Sequence, residues 1–330
     1  MLRLLLIFIM VLNLFMFSTN INLDFLEKPS KILIKEKTML IQDQNCKFIL
    51  LDLNKGTIIS KFGRMGEGPR EVLSVGSIQM LDNEILINGN NKIMFFRYDG
   101  SFVKEYKIIK GFDFVKLGKY YYGLERGIVD KKMALITVKY NKNLKKIKNI
   151  SKRINSFLGS KYMDPILIYK PLGSEISVFS NMLLVKTGTG SFKIFKENGD
   201  YKFQLTPKIE KTHLTQEKQK QIINVYKTET GLKEQYYRVL KNRLKFQNYA
   251  PEIRTYFCDY NFLYVIPYRI DGKQEVIVYN RKGKFLYKKN IPLRLYNPLS
   301  AYPHCLYKET FYQIIENDDG WELKKFRLKN

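Results

Sequence analysis

The sequence predicts an all-β fold, a six-bladed β-propeller with a small helical insertion between late blades. Three observations predict it: short strand-like runs after residue 30, a repeated hairpin signature, and enough repeats to close a ring over residues 30–330. Aromatic residues, mostly Tyr and Phe, make up 14% of the chain, and such side chains suit half-buried pleated surfaces. The 330 residues suffice for a large core, and length alone allows one large domain or two smaller ones.

The strand signal is a series of short apolar or alternating runs punctuated by turns. The clearest runs are 48–53 (FILLDL), 93–98 (IMFFRY), 133–138 (MALITV), 182–185 (MLLV), 262–266 (FLYVI) and 275–279 (EVIVY). Strands this short and this regularly broken indicate a sandwich, a barrel or a propeller.

An internal repeat favours the propeller. Its unit is a strand that ends in an aromatic or polar residue, a turn with Gly, and an alternating strand. Copies begin at Asp52, Tyr98, Tyr140, Phe195 and Tyr279, and the copy at Tyr140 lacks the Gly. Glycine supplies the positive φ of a tight hairpin. The first two intervals, 46 and 42 residues, match the length of a propeller blade.

A sixth unit is expected at the end of the chain, with a strand at 311–315, a turn at 317–320 and a strand at 321–328. Propellers hide their sheet edges by pairing strands from the two ends of the chain in one blade. We therefore expect 31–34 (KILI) to complete the last blade.

The helical insertion is predicted at about 212–247. Thr215 is a suitable N-cap, and Glu217 lies in the first turn. One apolar stripe predicts a second helix, through Leu232, Tyr236, Val239, Leu240 and Leu244. Two interpretations are open: a basic, solvated hairpin packed against the ring, or a lid or partner-binding element over one end of the channel.

Residues 1–20 are predicted to be a signal peptide or a signal anchor. Residues 4–17 are apolar except Asn13, and Arg3 precedes them. The stretch is shorter than the roughly 20 residues of a membrane-spanning helix. We expect an exported protein, periplasmic or on the cell surface, with tethering by an uncleaved anchor as the alternative.

The formal net charge is +26, from 57 Lys and Arg against 31 Asp and Glu. Such a field favours anionic partners. The basic residues are spread along the chain and form no known nucleic-acid module, so specific nucleic-acid binding is not expected. A compositional bias is the simpler interpretation.

The sequence predicts no catalytic, cofactor-binding or metal site. Cys46, Cys258 and Cys305 lie far apart without metal-ligand spacing, so buried free thiols are expected, with one disulfide as the alternative. The two histidines, His213 and His304, are too few for a His-rich metal site or a His-based triad.

The loop at 62–71 (FGRMGEGPRE) is the most distinctive local feature. Its glycines and proline require an irregular backbone, and Arg64 and Glu71 carry opposite charges that can pin it. It lacks the Gly-Lys-Ser/Thr ending of a phosphate-binding loop. The candidate site residues, structural with a possible ligand role, are Gly63, Arg64, Gly66, Gly68, Pro69 and Glu71.

This loop resembles the G-R-x-G-x-G-P-x-E motif near the start of many bacterial exported six-bladed propellers of the TolB-like and NHL-like group. Arg70 stands where family members commonly have Gly, and Val72 where they have an aromatic residue. A helical insertion before a late blade fits the same layout. The resemblance implies an extracytoplasmic propeller that binds a ligand or a partner.

Three functions follow from these features. The first is a non-catalytic binding propeller whose ligand, an envelope protein, a peptide or a glycan, meets loops at the channel mouth. The second is a propeller enzyme, a hydrolase or lyase that acts on glycans through paired carboxylates, with Asp82, Asp113, Asp164 and Asp259 as candidates. The third is binding to anionic polymers or a membrane surface through the basic charge.

Overall fold

The computed structural model describes residues 21–89, 91–154, 175–188, 190–228, 238, 244–269 and 273–329. They form six four-stranded antiparallel sheets, the blades of a propeller, which confirms the predicted fold class. The segment 1–20 lies outside the described residues. Within the described ranges no helix is both long and apolar enough to cross a membrane.

The four strands of each blade follow one another from the channel outward. Blade 1 consists of β2 (Lys31–Lys35), β3 (Thr38–Gln42), β4 (Phe48–Asp52) and β5 (Thr57–Phe62). Blade 2 consists of β6 (Val75–Met80), β7 (Ile85–Gly89), β8 (Lys92–Phe96) and β9 (Phe102–Lys107). Blade 3 consists of β10 (Phe112–Leu117), β11 (Tyr120–Val129), β12 (Lys132–Tyr140) and β13 (Lys146–Ile154).

The second half of the ring has the same arrangement. Blade 4 consists of β14 (Ile176–Phe179), β15 (Met182–Thr187), β16 (Ser191–Phe195) and β17 (Tyr201–Leu205). Blade 5 consists of β18 (Ile253–Cys258), β19 (Phe262–Pro267), β20 (Glu275–Asn280) and β21 (Phe285–Asn290). Blade 6 consists of β24 (His304–Tyr307), β25 (Thr310–Asn317), β26 (Gly320–Arg327) and β1 (Ile21–Asn22), and a short pair, β22 (Leu295–Asn297) and β23 (Ser300–Ala301), precedes it.

The predicted repeat corresponds to the turn between the third and fourth strands of blades 1 to 5. Gly56, Gly100, Gly199 and Gly283 all have positive φ in these turns. At 140–145 the repeat lacks Gly, and Leu144 takes the positive φ instead. The turn at 317–320 joins β25 to β26, the second and third strands of blade 6, so the sixth unit is one strand out of step with the others.

The strand that closes the ring differs from the prediction. Residues 31–34 lie in β2, the inner strand of blade 1, and do not complete the last blade. Blade 6 is completed by β1, where Ile21 pairs with Leu323 and Asn22 pairs with Glu322. The closing strand thus begins ten residues before the expected one, and it lies at the outer edge of blade 6.

The core consists of apolar layers between adjacent blades. The Phe48 and Leu50 side chains of β4 pack against blade 2, whereas Ile49 and Leu51 of the same strand pack against blade 6. Equivalent clusters fill the other blade interfaces, so each blade buries both faces. This explains why the central strands are continuous apolar runs while the outer strands are mostly exposed.

Side-chain hydrogen bonds join neighbouring inner strands. The Gln79 amide donates to the Lys116 carbonyl oxygen at 2.9 Å and accepts from the Lys116 N–H at 2.7 Å, which connects β6 to β10. The Ser77 hydroxyl donates to the Phe114 carbonyl oxygen at 3.1 Å. These bonds satisfy backbone groups on the channel-facing edges, where no further strand pairs.

The insertion between blades 4 and 5 contains helix α1 (Gln216–Thr228). The Thr215 hydroxyl accepts from the Lys218 N–H at 3.3 Å, as an N-cap does. Ile222 and Val225 pack against Tyr268 and Leu299 of the ring. Of the residues that predicted the second helix, all but Leu244 fall outside the described residues.

Residues 21–28 are expected to stabilise the closed ring. Leu23 and Leu26 are buried between blades 6 and 1, and the buried Asp43 carboxylate accepts from the N–H groups of Glu27 and Lys28. A chain that starts at residue 29 should lose about 4 kcal/mol of unfolding free energy relative to one that starts at residue 21, because about two buried leucines and a closing strand are missing. Urea unfolding followed by circular dichroism measures this difference. Equal midpoints and slopes for the two chains would contradict closure by β1.

Candidate functional site

The inner strands of the six blades surround a central cavity of about 590 Å³. Inner strands follow one another around the ring and start at the same end, which we call the entry face. Antiparallel pairing brings the connections between blades to this face, including the loop at 62–71 and the insertion with α1. The first or second residue of each inner strand lines the cavity: Lys31, Gly76, Asp113, Ser177, Arg254 and His304.

Three of these residues carry charged side chains that have no ion-pair partner within the described part of the chain. They are Lys31, Asp113 and Arg254, one each from blades 1, 3 and 5. Partly buried charges elsewhere form ion pairs, as Arg153 does with Glu175 at 2.8 Å and Arg269 with Glu275 at 3.0 Å. The channel mouth therefore holds charges that the folded chain does not neutralise by contact.

Arg254 is the most enclosed of the three, with 6% of its surface exposed. Its guanidinium carbon lies 4.2 Å from the centroid of the Tyr268 ring, and Nη2 donates to the Arg269 carbonyl oxygen. The buried Nε has no hydrogen-bond partner among the residues that the structure describes. Burial lowers the pKa of this guanidinium, and the Tyr268 hydroxyl opposes the shift. The guanidinium stays charged, because arginine does not deprotonate in proteins.

The charges of Lys31 and Asp113 affect each other's pKa across the channel. Burial lowers the pKa of Lys31, and the Asp113 carboxylate opposes this shift. Burial raises the pKa of Asp113, the Lys31 ammonium opposes this, and Glu175 adds to it. Asp113 has φ +52°, a left-handed conformation that Asp and Asn tolerate better than most residues. A Cβ on Gly76 would lie 3.1 Å from Asp113 Oδ1, so the small residue leaves space beside the carboxylate.

Tyrosine rings and His304 complete the wall near blade 6. Tyr302 and Tyr307 line the cavity and are half-buried. Tyr302 precedes β24 at the entry face, whereas Tyr307 ends β24 at the opposite end of the channel, where its hydroxyl accepts from the Glu36 N–H at 3.0 Å. The Tyr302 carbonyl oxygen lies 2.7 Å from His304 Nδ1, and the Tyr302 ring contacts Trp321 edge to face. The surface around the three charges is thus partly aromatic and partly polar.

The loop at 62–71 connects blade 1 to blade 2, and none of its residues lines the cavity. Arg64 forms an ion pair with Glu71, and the Gly68 N–H donates to Glu71 Oε2 at 2.9 Å. These contacts lower the pKa of the Glu71 carboxyl, the hydrogen bond from Gly68 most of all. A Cβ on Gly66 would lie 2.0 Å from Glu71 Oε2, so the carboxylate occupies the space that a side chain would need.

Blade 2 holds the loop from the other side. Lys92 Nζ donates to the Gly68 carbonyl oxygen at 2.8 Å, and the Arg70 N–H donates to Glu105 Oε2 at 3.1 Å. Pro69 lies between these two anchored residues. The geometry accounts for the shape of the loop, whereas a ligand role for its residues stays a prediction.

The four carboxylates proposed for glycan chemistry do not share one place. Asp82 is 96% exposed and pairs with Lys35 at 2.6 Å. Asp259 accepts from the N–H groups of Asn261 and Phe262 and from the Tyr264 hydroxyl, so it stabilises the β18–β19 turn. Asp113 lines the cavity, and Asp164 lies outside the described residues.

All three cysteines are free thiols. Cys46 and Cys305 are buried, and Cys258 is half-buried. The structure therefore has the expected free thiols and not the alternative, a disulfide. Burial raises the pKa of all three thiols. Over the described ranges, no three His, Cys, Asp or Glu side chains lie close enough together to hold a metal ion.

Sequence reasoning missed Lys31, Ser177 and Arg254 as site residues. Each is a single polar residue at the start of an inner strand and belongs to no recognisable sequence motif. The repeat could have located them. Its Gly turn follows the third strand of a blade, so counting three strands back from the turn gives the start of the inner strand, where these residues lie.

Comparison with known proteins supplies no family. No family model matches the chain, and no curated protein matches it. Among solved structures, BamB from Moraxella catarrhalis is similar with 11% identity and a TM-score of 0.35, over 89% of this chain and 71% of that chain. The computationally designed Ika8 protein is similar with 7% identity and a TM-score of 0.41, over 91% of this chain and 84% of that chain. At these TM-scores neither structure indicates a function for this chain.

Gly63 is expected to be essential to the loop. It has φ +78°, and a Cβ would lie 2.5 Å from Phe48 Cδ2 and 2.7 Å from the Cys46 carbonyl oxygen. Gly63→Ala should cost about 3 kcal/mol of unfolding free energy, since strain adds to overpacking. Gly188→Ala is the matched control, with φ +67° and open space around the position, and should cost about 1 kcal/mol. Chemical unfolding compares the two variants, and equal losses would show that the close contacts at Gly63 relax freely.

Asp113→Asn is expected to stabilise the protein near pH 7. The folded-state pKa of Asp113 is raised by burial, so ionisation disfavours the fold above that pKa, and the penalty disappears as the pH falls through it towards the ordinary value. Asn keeps the volume and tolerates φ +52°. We expect a gain in Tm of about 1–3 °C at pH 7 that shrinks towards pH 4, measured by calorimetry. A gain independent of pH would show that the carboxylate charge is not its cause.

Proposed function

We propose that this protein is a non-catalytic, extracytoplasmic binding propeller that takes its ligand at the entry-face mouth of the central channel. The observation that carries the proposal is the set of three charged side chains, Lys31, Asp113 and Arg254, held around the cavity without ion-pair partners among the described residues. Burying charge without a partner costs several kcal/mol, so a fold that retains it is suited to a ligand that supplies the missing contacts.

The architecture supports the same place for the ligand. The cavity of about 590 Å³ is within the size range of small-molecule sites, and its wall combines aromatic rings with a few polar groups. The inner strands are fixed by packing on both faces of every blade, so the polar groups at their starts are held in place before a ligand arrives.

The extracytoplasmic location rests on residues 4–17 and on the resemblance of the 62–71 loop to exported propellers of the TolB-like and NHL-like group. Both are sequence arguments. A fusion of residues 1–30 to a reporter that is active only after export tests the location, and the same fusion lacking residues 4–17 is its control.

The carboxylate positions favour binding over glycan cleavage. Glycoside hydrolysis requires two carboxyl groups on either side of the scissile bond, about 5–9.5 Å apart. Of the three candidates that the structure describes, Asp113 alone lines the cavity, while Asp82 and Asp259 are engaged elsewhere.

Blocking the channel mouth tests the proposed function. Gly76 is exposed and its φ lies outside the left-handed region, so Gly76→Trp should fold once the Asp113 carboxylate shifts away from the new Cβ, which would lie 3.1 Å from Oδ1, and the indole should fill the space beside it. Wild-type protein is equilibrated with a native extract, and bound small molecules are identified by mass spectrometry. Gly76→Trp should lose at least nine-tenths of the captured ligand, and the exposed outer-strand variant Lys288→Trp should retain it.

The same experiment decides between binding and catalysis. The released ligand should have the same mass before and after prolonged incubation with the protein. Capture that is equal in the two variants would overturn the channel site, and a ligand converted to a product would overturn the non-catalytic part of the proposal.

A further inference from the structure

The charge balance at the channel mouth indicates the charge of the ligand. Among the described residues that line the cavity, Lys31 and Arg254 are positively charged and Asp113 is the one carboxylate, while the neighbouring Glu175 pairs with Arg153 at 2.8 Å. One positive charge is therefore left over among the side chains that line the cavity. A ligand with one negative charge balances it, whereas a phosphate dianion would be repelled by Asp113.

The geometry of Arg254 favours a carboxylate as the negative group. Its guanidinium is immobilised by the Tyr268 ring at 4.2 Å and by the bond to the Arg269 carbonyl oxygen. A planar guanidinium matches a carboxylate through two parallel N–H bonds, and little side-chain entropy remains to be lost. The buried Nε, which has no hydrogen-bond partner among the described residues, is a further donor of the guanidinium.

The other groups of the cavity wall favour a ligand with hydroxyl groups. The Asp113 side chain accepts no hydrogen bond within the described part of the chain, and two neutral polar side chains, Ser177 and Gln42, also line the cavity. The half-buried Tyr302 ring lines the cavity just before the start of β24 at the entry face, and the C–H face of a sugar can pack against such a ring. Hydroxyls that donate to a carboxylate while the C–H face covers an aromatic ring are the usual features of saccharide recognition.

We infer, building on the proposed binding function, that the ligand is a small acidic sugar, a mono- or disaccharide with one carboxylate. Arg254 and Lys31 bind the carboxylate, and Asp113 accepts from a ring hydroxyl. The cavity of about 590 Å³ holds one or two sugar rings. A peptide carboxyl terminus offers the same charged group and is the competing ligand in the test.

The test compares acidic sugars with their neutral counterparts on wild-type protein by calorimetric titration. The probes are glucuronate and galacturonate, the neutral sugars glucose and galactose, and acetyl-trialanine with a free carboxyl terminus. At least one acidic sugar should bind at least tenfold more tightly than its neutral counterpart and than the peptide. This comparison needs no variant and is independent of any folding defect.

Variants then locate the carboxylate. Arg254→Gln and Lys31→Met should each weaken the acidic sugar at least tenfold and leave the weak binding of the neutral sugar unchanged. Lys288→Met removes one exposed positive charge from an outer strand and should leave all affinities unchanged. Lys31 is only half-buried, so Lys31→Met remains informative if Arg254→Gln fails to fold.

The outcomes separate this inference from the function on which it rests. Equal binding of acidic and neutral sugars, or unchanged affinity in Lys31→Met, overturns the inference and leaves channel binding standing. Tighter binding of the peptide overturns the saccharide assignment. If no acidic sugar binds, the inference fails, and the captured ligand of the Gly76→Trp experiment decides separately whether the channel is a binding site.

Discussion

Every blade of this protein is apolar on both faces, and the rest of the structure depends on that constraint. Within β4, alternate residues serve two different blade interfaces: Phe48 and Leu50 face blade 2, and Ile49 and Leu51 face blade 6. An isolated blade would expose both layers to water, so a blade is stable only between two neighbours. A row of such blades has exposed ends unless it closes, and closure is therefore part of the stability of every interface.

Closure explains why the two ends of the ring meet in blade 6. β1 covers the outer edge of β26, and Leu23 and Leu26 extend the apolar layer between blades 6 and 1. The ring in turn fixes the inner strands, which pack through side chains such as Gln79 instead of through a shared ladder. Because these strands start at the same end, charged residues at the starts of three of them are enough to build a charged rim. Lys31, Asp113 and Arg254 come from positions 223 residues apart at most, and only the closed ring brings them to one cavity.

The propeller architecture could be predicted from the sequence because the residues that form a hairpin turn are adjacent in the chain. Gly56 and Gly100 mark turns whose positive φ is required by geometry, and their spacing of 44 residues reports the blade length. The strand that closes the ring was not predictable in this way. KILI at 31–34 is more apolar than β1, yet the pairing of β1 is decided by contacts with β26, some 300 residues away. The site was hidden for the same reason: no local signal distinguishes Lys31 or Arg254 from the many other basic residues, and their burial is a property of the assembled ring.

The loop at 62–71 shows how a motif and a site can be separate. Its conspicuous residues are occupied with one another, since the Glu71 carboxylate fills the space beside Gly66, bonds to Gly68 and pairs with Arg64. Groups that satisfy each other have little capacity left for a ligand, whereas Lys31, Asp113 and Arg254 have no ion-pair partner among the described residues. Such a motif fixes the backbone conformation of the loop that joins blade 1 to blade 2. That conformation places no constraint on which ligand the protein binds. The binding chemistry that we propose for this protein therefore lies in the side chains at the starts of its inner strands.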